Sequence, residues 1–262
     1  MKTTQNEFYS SISRYYPEIF PYSPAQLQFV VRNCGGLTGK KVLDIGCATG
    51  ELACEMAGAG AQVTGIDLNE DLIRQAKQKV KALQKENARS QIDPNPTNMP
   101  PLFKKGDMLE LKNLFPETHF NCVTCFGNTL VHLLSPISVL EVLQGVHRIL
   151  KPDGVFLLQI LNYDYILAEQ VSELPPIETE NIKFVRQYVF EKDNPLIRFQ
   201  TDLHIKKEGS VIPNETQLWA LHSRKLTELL HDTGFKDILL FSNFKEDSFG
   251  GNHIPLVVKC GK

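Results

Sequence analysis

Val42-Leu43-Asp44-Ile45-Gly46-Cys47-Ala48-Thr49-Gly50 is the stretch on which the fold turns. A short apolar run, opening at Lys41, ends in a glycine-rich turn, and Glu51 to Met56 then reads as a helix. An apolar run bounded by turn residues predicts a buried strand. Glycines allow the backbone conformations of a tight turn and let a ligand lie against it. In open α/β sheets, ligands bind at such turns, outside the carboxyl ends of the strands.

Outward from this turn the same unit repeats. Gln62 to Asp67 reads as a second strand, and Asn69 is placed to cap a helix whose Leu72, Ile73, Ala76, Val80 and Leu83 recur at helical spacing. Residues 86–101, with four prolines and no apolar period, predict a loop. Leu102 to Asp107 and Asn121 to Phe126 predict a third and a fourth strand, and Pro136 to Leu150 a helix. Lys151-Pro152-Asp153-Gly154 predicts a turn, and Val155 to Leu161 a fifth strand. Strands alternating with helices argue for a doubly wound parallel sheet covered on both faces. From Lys183 to Leu221 the period falls to two: Ile197, Phe199, Leu203 and Ile205 alternate with polar residues. Ser223 is placed to cap a helix ending at Gly234, and strands at Asp237–Phe241 and Pro255–Cys260 close the chain. The expected organisation is a leader over residues 1–36 and an α/β domain over 37–182 and 222–262. An antiparallel, lid-like insertion of about three strands would cover 183–221.

Composition narrows the function. With 262 residues, 42% of them apolar, the chain can bury a core without disulfide or metal staples. A net charge of −2 gives no electrostatic reason to bind nucleic acid or an anionic membrane. No run approaches the roughly 20 apolar residues of a membrane span, and the N-terminus has no signal-peptide core, so a cytoplasmic protein is expected. The scattered cysteines at 34, 47, 54, 122, 125 and 260 are expected as reduced core residues. His119, Cys122 and Cys125 do not predict a metal site, because residues 122 and 125 of one strand point to opposite faces.

Three acids, Asp44, Asp67 and Asp107, stand at the ends of the first three strands. Any one of them alone is an ordinary strand end; the ordered set is a stronger signal. Asp67 stands where a carboxylate accepts hydrogen bonds from ribose hydroxyls. Asp107 is placed to accept from an adenine amino group, with Met108 over the ring. The turn is Gly46-x-x-x-Gly50, with Ala48 where a dinucleotide fingerprint has its second glycine. Asp44 would repel a pyrophosphate but suits a cation. An adenosine ligand without phosphates and with a positive charge is S-adenosylmethionine, with S-adenosylhomocysteine as product.

The motifs DIGCATG (44–50), GIDLN (65–69), GDMLEL (106–111) and LKPDGVFLLQI (150–160) resemble the class I S-adenosylmethionine-dependent methyltransferases over about residues 38–162. The resemblance implies a Rossmann-like seven-stranded sheet with one antiparallel strand. It places the methionine part on Asp44, Gly46, Cys47, Ala48 and Gly50, the ribose on Asp67 beside Leu68, and the adenine on Asp107 and Met108, with Phe126 among the contacts. Cys125 to Leu133 and Asn162-Tyr163-Asp164 resemble the glycine and sarcosine N-methyltransferases and related small-molecule enzymes. Tyr15 to Phe20 fits the cover that such enzymes fold over the cofactor. The glycine enzymes have an arginine directly before Asn-Tyr-Asp; here it is Leu161, so an acceptor other than glycine is expected.

The reading is therefore methyl transfer to a small molecule, at nitrogen, near Asn128, His132 and Tyr163 with Tyr16 above. If residues 128–132 are helical, Asn128 and His132 share a face, and His132 either takes a proton or only packs at the pocket edge. Trp219 either joins the core or walls the acceptor. The alternatives are a nucleic-acid (RNA) methyltransferase, disfavoured by Cys125-Phe126-Gly127-Asn128 in place of an Asn/Asp-Pro-Pro-aromatic motif, and a non-catalytic cofactor-binding module. Oligomeric state is open.

Overall fold

The computed structural model describes residues 4–89, 99–192 and 194–262. Residues 90–98 of the expected loop lie outside them. Strands and helices are numbered here in chain order. The main sheet is built from β1 (Lys41–Ile45), β2 (Gln62–Asp67), β3 (Leu102–Lys105), β4 (Phe120–Cys125), β5 (Leu150–Leu161), β10 (Lys236–Phe241) and β11 (Pro255–Gly261). Its order is β10-β11-β5-β4-β1-β2-β3, and β11 alone runs against its neighbours. The order reverses between β1 and β4, which opens a crevice at their carboxyl ends.

Alternation along each strand feeds two cores. Val42, Cys122 and Leu157 pack with α3 (Pro24–Cys34), α4 (Glu51–Gly58) and α5 (Glu70–Arg89). Leu43, Val123 and Leu158 pack with α6 (Leu111–Leu114), α7 (Pro136–Ile149) and α9 (Ser223–Thr233). Cys122 and Cys125 fall in opposite cores, as a strand requires. All six cysteines are free, five of them buried. Among the described residues no helix is long and apolar enough to cross a membrane.

A second sheet holds β6 (Glu173–Glu178), β7 (Ile182–Val189), β8 (Leu196–Ile205) and β9 (Ser210–Trp219), antiparallel and in that order. It follows α8 (Tyr163–Ala168) and starts ten residues before the expected boundary at Lys183, with four strands rather than three. The missed strand carries Pro175 and Pro176, and its pairing skips from Leu174 to Ile177 across them. Such a strand is tolerated at a sheet edge, where an N–H needs no partner. Ile182, Phe184, Leu203 and Ile205 on its inner face form a third core with Phe8, Ile12 and Ile19. Those three come from a leader that is helical, with α1 (Thr4–Ile12) and α2 (Tyr16–Ile19) ahead of α3.

Three local expectations are corrected. Residues 151–154 form a bulge within β5, between the Phe120–Leu150 and Cys122–Val155 pairs, with Asp153 at φ +61°. The first part of the expected 86–101 loop is helical, since α5 runs to Arg89. Ser223 is the first residue of α9 rather than its cap; its N–H donates to Asp164 Oδ2 at 3.0 Å. The carboxylate meets the helix from another element, which no local signal reports. Asn69, by contrast, caps α5 as expected: its Oδ1 accepts from the N–H groups of Asp71 and Leu72 at 3.0 and 3.1 Å.

Gly65 on β2 shows how tightly the crevice is packed. A Cβ there would lie 2.7 Å from Phe103 Cδ1 and 2.8 Å from Cys47 Sγ. Overpacking of this kind costs about 1–3 kcal/mol. Gly65→Ala is expected to lower the free energy of urea unfolding by that amount, seen as a lower midpoint at unchanged slope, with part of the loss restored by Phe103→Leu. An unchanged midpoint in Gly65→Ala would show that the crevice has room to spare.

Candidate active site

A cavity of about 250 Å³ opens at the carboxyl ends of β1 to β4. Its floor is Ile45, Gly46, Ile66, Asp67, Gly106 and Asp107, and its far wall is Gly127, Thr129, His132 and Leu133. Gly46 is there of necessity: φ is +71°, and a Cβ would meet Thr129 Oγ1 at 2.6 Å. The roof is Gln5, Asn6 and Tyr9 from α1, with Tyr16 from α2.

Asp67 organises this space. Its Oδ2 accepts from the Ala48 N–H at 3.0 Å and its Oδ1 from the Asn69 N–H at 2.8 Å. Burial nevertheless raises its pKa to about 6, those two hydrogen bonds opposing the rise. Asp44 is raised further, to about 7, by burial and by the charge of Asp67, against a hydrogen bond from Thr124 Oγ1 at 2.7 Å. Asp107 Oδ1 accepts from the Leu109 N–H at 2.9 Å, which fixes the turn below Met108. Two buried acids, one of which raises the pKa of the other, are the environment that a ligand cation relieves.

Of the residues expected at the site, Gly46, Asp67, Leu68, Asp107, Met108, Tyr16 and His132 line this cavity. Asp44, Cys47, Ala48 and Gly50 form the layer behind it. Asp44 is 4% exposed and turned to Thr124, and Ala48 reaches the site through its N–H to Asp67. Phe126 packs against Phe244, ring centres 5.0 Å apart, in the core of α3 and α4. Asn128 and His132 part company. Asn128 Nδ2 donates to the Tyr163 hydroxyl at 3.0 Å, and its Oδ1 accepts from the Leu161 N–H at 2.9 Å. Tyr163 is fully buried. Trp219 lies in the main core and borders a separate depression with Leu167 and Phe190.

Sequence reading missed α1. Phe8 and Ile12 are spaced for one helix face, and Gln5 and Tyr9 for another, a signal present but short. Polar contacts from Asn69 and His132 lock α1 over the cavity. Asn69 Nδ2 donates to Asn6 Oδ1 at 2.8 Å and to Ser10 Oγ at 2.9 Å. The Tyr9 hydroxyl and His132 Nε2 lie 2.8 Å apart. Burial lowers the His132 pKa to about 4 and raises that of the Tyr9 hydroxyl, so both are neutral near pH 7.

A seven-stranded, mostly parallel sheet with one antiparallel strand, and acids closing its strand ends around a switch-point cavity, define a class I S-adenosylmethionine-dependent methyltransferase. The chain belongs to the methyltransferase domain family, whose pattern it matches over residues 24–240. The ubiquinone biosynthesis O-methyltransferase of Actinobacillus pleuropneumoniae serotype 5b (strain L20) is 33% identical over 172 residues, 63% of this chain and 67% of the relative. The glycine/sarcosine N-methyltransferase of Aphanothece halophytica is 26% identical over 92% of this chain and 84% of its own length. Among relatives matched over the shorter stretch, the alignment spans 53–67% of the relatives' own length. In fold, the CcbJ methyltransferase from Streptomyces caelestis matches with a TM-score of 0.77 at 17% identity, covering 99% of this chain and 98% of that one. Family and fold imply binding of S-adenosylmethionine.

The raised acids give binding a pH dependence of known sign. Both carboxyls are held above the ordinary 3.8, so their contribution to the unliganded fold is complete below that value and is lost as pH rises through about 6 and 7. A ligand that needs Asp67 ionised follows the opposite course. The dissociation constant of S-adenosylhomocysteine, measured by calorimetry, is expected to be about tenfold weaker at pH 5 than at pH 8. Asp67→Asn is expected to weaken binding at least tenfold at pH 8 and to flatten this dependence. A wild-type constant that does not move with pH would overturn the expectation that Asp67 holds the ribose.

Proposed function

We propose that the protein methylates a small-molecule amine at neutral nitrogen, with Asp67 on the ribose, Asp107 and Met108 on the adenine, and Asp44 below the sulfonium end. The leader acts as the cap over the cofactor, and the antiparallel sheet is the lid against which the cap packs. When bound, the cofactor supplies an electrophilic methyl group: the nitrogen lone pair forms the new C–N bond as the C–S pair returns to sulfur.

The observation that carries nitrogen over oxygen is the state of His132. It is the imidazole lining the cavity, and with a pKa of about 4 it is a poor proton acceptor at neutral pH. A phenol or alcohol must lose its proton to become a good nucleophile, which calls for a base whose pKa is near the working pH. An amine that has left its ammonium proton with solvent before entering attacks with its own lone pair and loses an N–H proton to solvent afterwards. Alignment in a closed site then supplies roughly 7–11 kcal/mol of the barrier.

Charge also bears on the acceptor. Among the described residues lining the cavity there is no Lys or Arg. Arg14 pairs with Glu208 at 3.8 Å, Arg198 with Glu191 at 3.4 Å, and Arg186 donates to the Pro175 carbonyl at 2.7 Å. An acceptor carboxylate therefore lacks a fixed cation, and burying it unpaired costs several kcal/mol. The aromatic roof of Tyr9 and Tyr16 suits an apolar or aromatic body.

The test is a screen for S-adenosylhomocysteine production at equal concentrations of benzylamine, tyramine, putrescine, glycine, sarcosine, catechol and phenol. An amine without a carboxylate is expected to be the best acceptor, with glycine and sarcosine at least tenfold poorer. Faster turnover of catechol or phenol than of every amine would overturn the nitrogen reading, and fast turnover of glycine would overturn the charge argument.

A further inference from the structure

The leader divides between two bodies. Phe8, Ile12 and Ile19, each at most 2% exposed, share a core with Ile182, Phe184, Leu203 and Ile205 at one end of the second sheet. At the other end of the same strands, Tyr188, Ile197 and Leu218 join the main core. The sheet is thus rooted in the main domain at one end and carries α1 and α2 at the other. Asn214 Nδ2 adds to that attachment by donating to Ser11 Oγ at 2.8 Å, and Asn181 Nδ2 by donating to Glu18 Oε1 at 3.2 Å. From Pro24 onward the chain belongs to the main domain, where Phe29, Val30 and Cys34 of α3 pack with Val42 and Cys122.

On its other side the leader meets the main domain along a polar seam. Asn69 Nδ2 donates to Asn6 Oδ1 at 2.8 Å and to Ser10 Oγ at 2.9 Å. Gln75 Nε2 donates to the Ser13 carbonyl at 2.9 Å, and the Tyr9 hydroxyl faces His132 Nε2 at 2.8 Å. The two joints differ in what opening them costs. Opening the apolar joint brings core side chains into water, and nothing offsets the loss. Opening the seam exchanges hydrogen bonds within the protein for bonds to water, and the net loss per bond is small. Gln5, Asn6, Tyr9 and Tyr16 roof the cavity whose floor holds Asp67, so a ligand enclosed there touches both sides only while the seam is shut. Such a ligand favours the closed state.

Resting on the cofactor placement above, we propose that the cofactor is exchanged by parting of α1 and α2 from the main domain along this seam, with both helices remaining on the second sheet, and that Asn69 is the positioning residue that holds the seam shut. Asn69 is fixed to the floor of the site: its N–H donates to Asp67 Oδ1 at 2.8 Å, and its own Oδ1 caps α5. The roof therefore closes against the group that supports the carboxylate. Flexing of a sheet rooted at one end supplies the motion, and opening of the seam sets the rate of cofactor exchange.

Asn69→Ser keeps the backbone N–H and an oxygen able to cap α5, but loses the side-chain donors. Dissociation of S-adenosylhomocysteine, followed by stopped-flow displacement, is expected to be about tenfold faster in this variant. Gln75 lies outside the cavity lining, so Gln75→Ala tests the seam apart from any ligand contact; about threefold faster dissociation is expected. Association should be unchanged or faster in both, because the open form admits the ligand, whereas mere damage to the site would slow it. Ser11→Cys combined with Asn214→Cys tests the parting line, since on oxidation it joins α1 to β9. Joining parts that travel together is expected to leave the dissociation rate within about twofold of that of the reduced form. A disulfide that slows dissociation about tenfold shows that α1 must leave the sheet, and overturns the parting line. Unchanged dissociation in both Asn69→Ser and Gln75→Ala, or slower association in both, overturns the role of the seam while leaving the cofactor placement intact. If the wild-type protein binds no S-adenosylhomocysteine, the placement falls, and the gate falls with it.

Discussion

The buried carboxylate of Asp67, clasped by two backbone N–H groups, is the constraint from which the rest of the site follows. One donor is Ala48, which adopts φ +47°, a left-handed conformation that costs a residue with a Cβ roughly 1–2 kcal/mol. The turn after β1 is thus held in its shape by the acid at the end of β2. The other donor is Asn69, whose side chain caps α5 and also grips Asn6 and Ser10. Through Ala48 and Asn69 the buried acid is indexed to the glycine turn, to a helix start and to the roof. Displacing any one of these elements exposes or unpairs the carboxylate.

The main sheet was legible because its information is local. Each strand ends in its own turn chemistry, and each acid lies within two residues of its strand's end, so order and spacing sufficed to place Asp67 and Asp107 on one cavity. The roof and the second sheet were less legible because their information is tertiary. The Phe8–Ile12 pair is too short a pattern to announce a helix that is stabilised mainly by Phe184 and Leu203 across the gap. Pro175 and Pro176 argued against a strand that exists only because it lies at an edge. Ser223 resembled a cap because the true donor-satisfying group, Asp164, lies 59 residues earlier in the chain.

The pairing of Asn128 with His132 failed for a geometric reason. Residues Thr129–His132 form a 3₁₀ turn, and Asn128 precedes it at φ +65°. With three residues per turn, positions four apart are about 120° apart around the axis, whereas in an α-helix they nearly coincide. The two side chains therefore look different ways. Asn128 ties the loop to Leu161 at the end of β5 and to Tyr163 at the start of α8, and His132 turns to the roof. Motif resemblance named both residues, but only the backbone conformation between them says which one meets the cavity.

Specificity is then divided between two kinds of surface. The floor and the layer behind it carry negative charge that burial leaves only partly ionised near neutral pH, as the raised values of Asp67 and Asp44 record. Such a floor is most stable under a ligand that brings its own positive charge, and it gains less from one that has lost it. On the proposed reading this difference favours exchange of spent cofactor for fresh, since transfer of the methyl group removes the sulfonium charge. The far wall and roof are neutral: an imidazole too weak to protonate, two phenols, Leu133 and Thr129. A carboxylate placed there would face the acids below without a cation beside it. An amine that enters neutral meets no such penalty, and once methylated it becomes a cation. On the proposed amine reading the negative floor holds both the reactant sulfonium and the product ammonium, so the positive charge carried through the reaction stays within one electrostatic field.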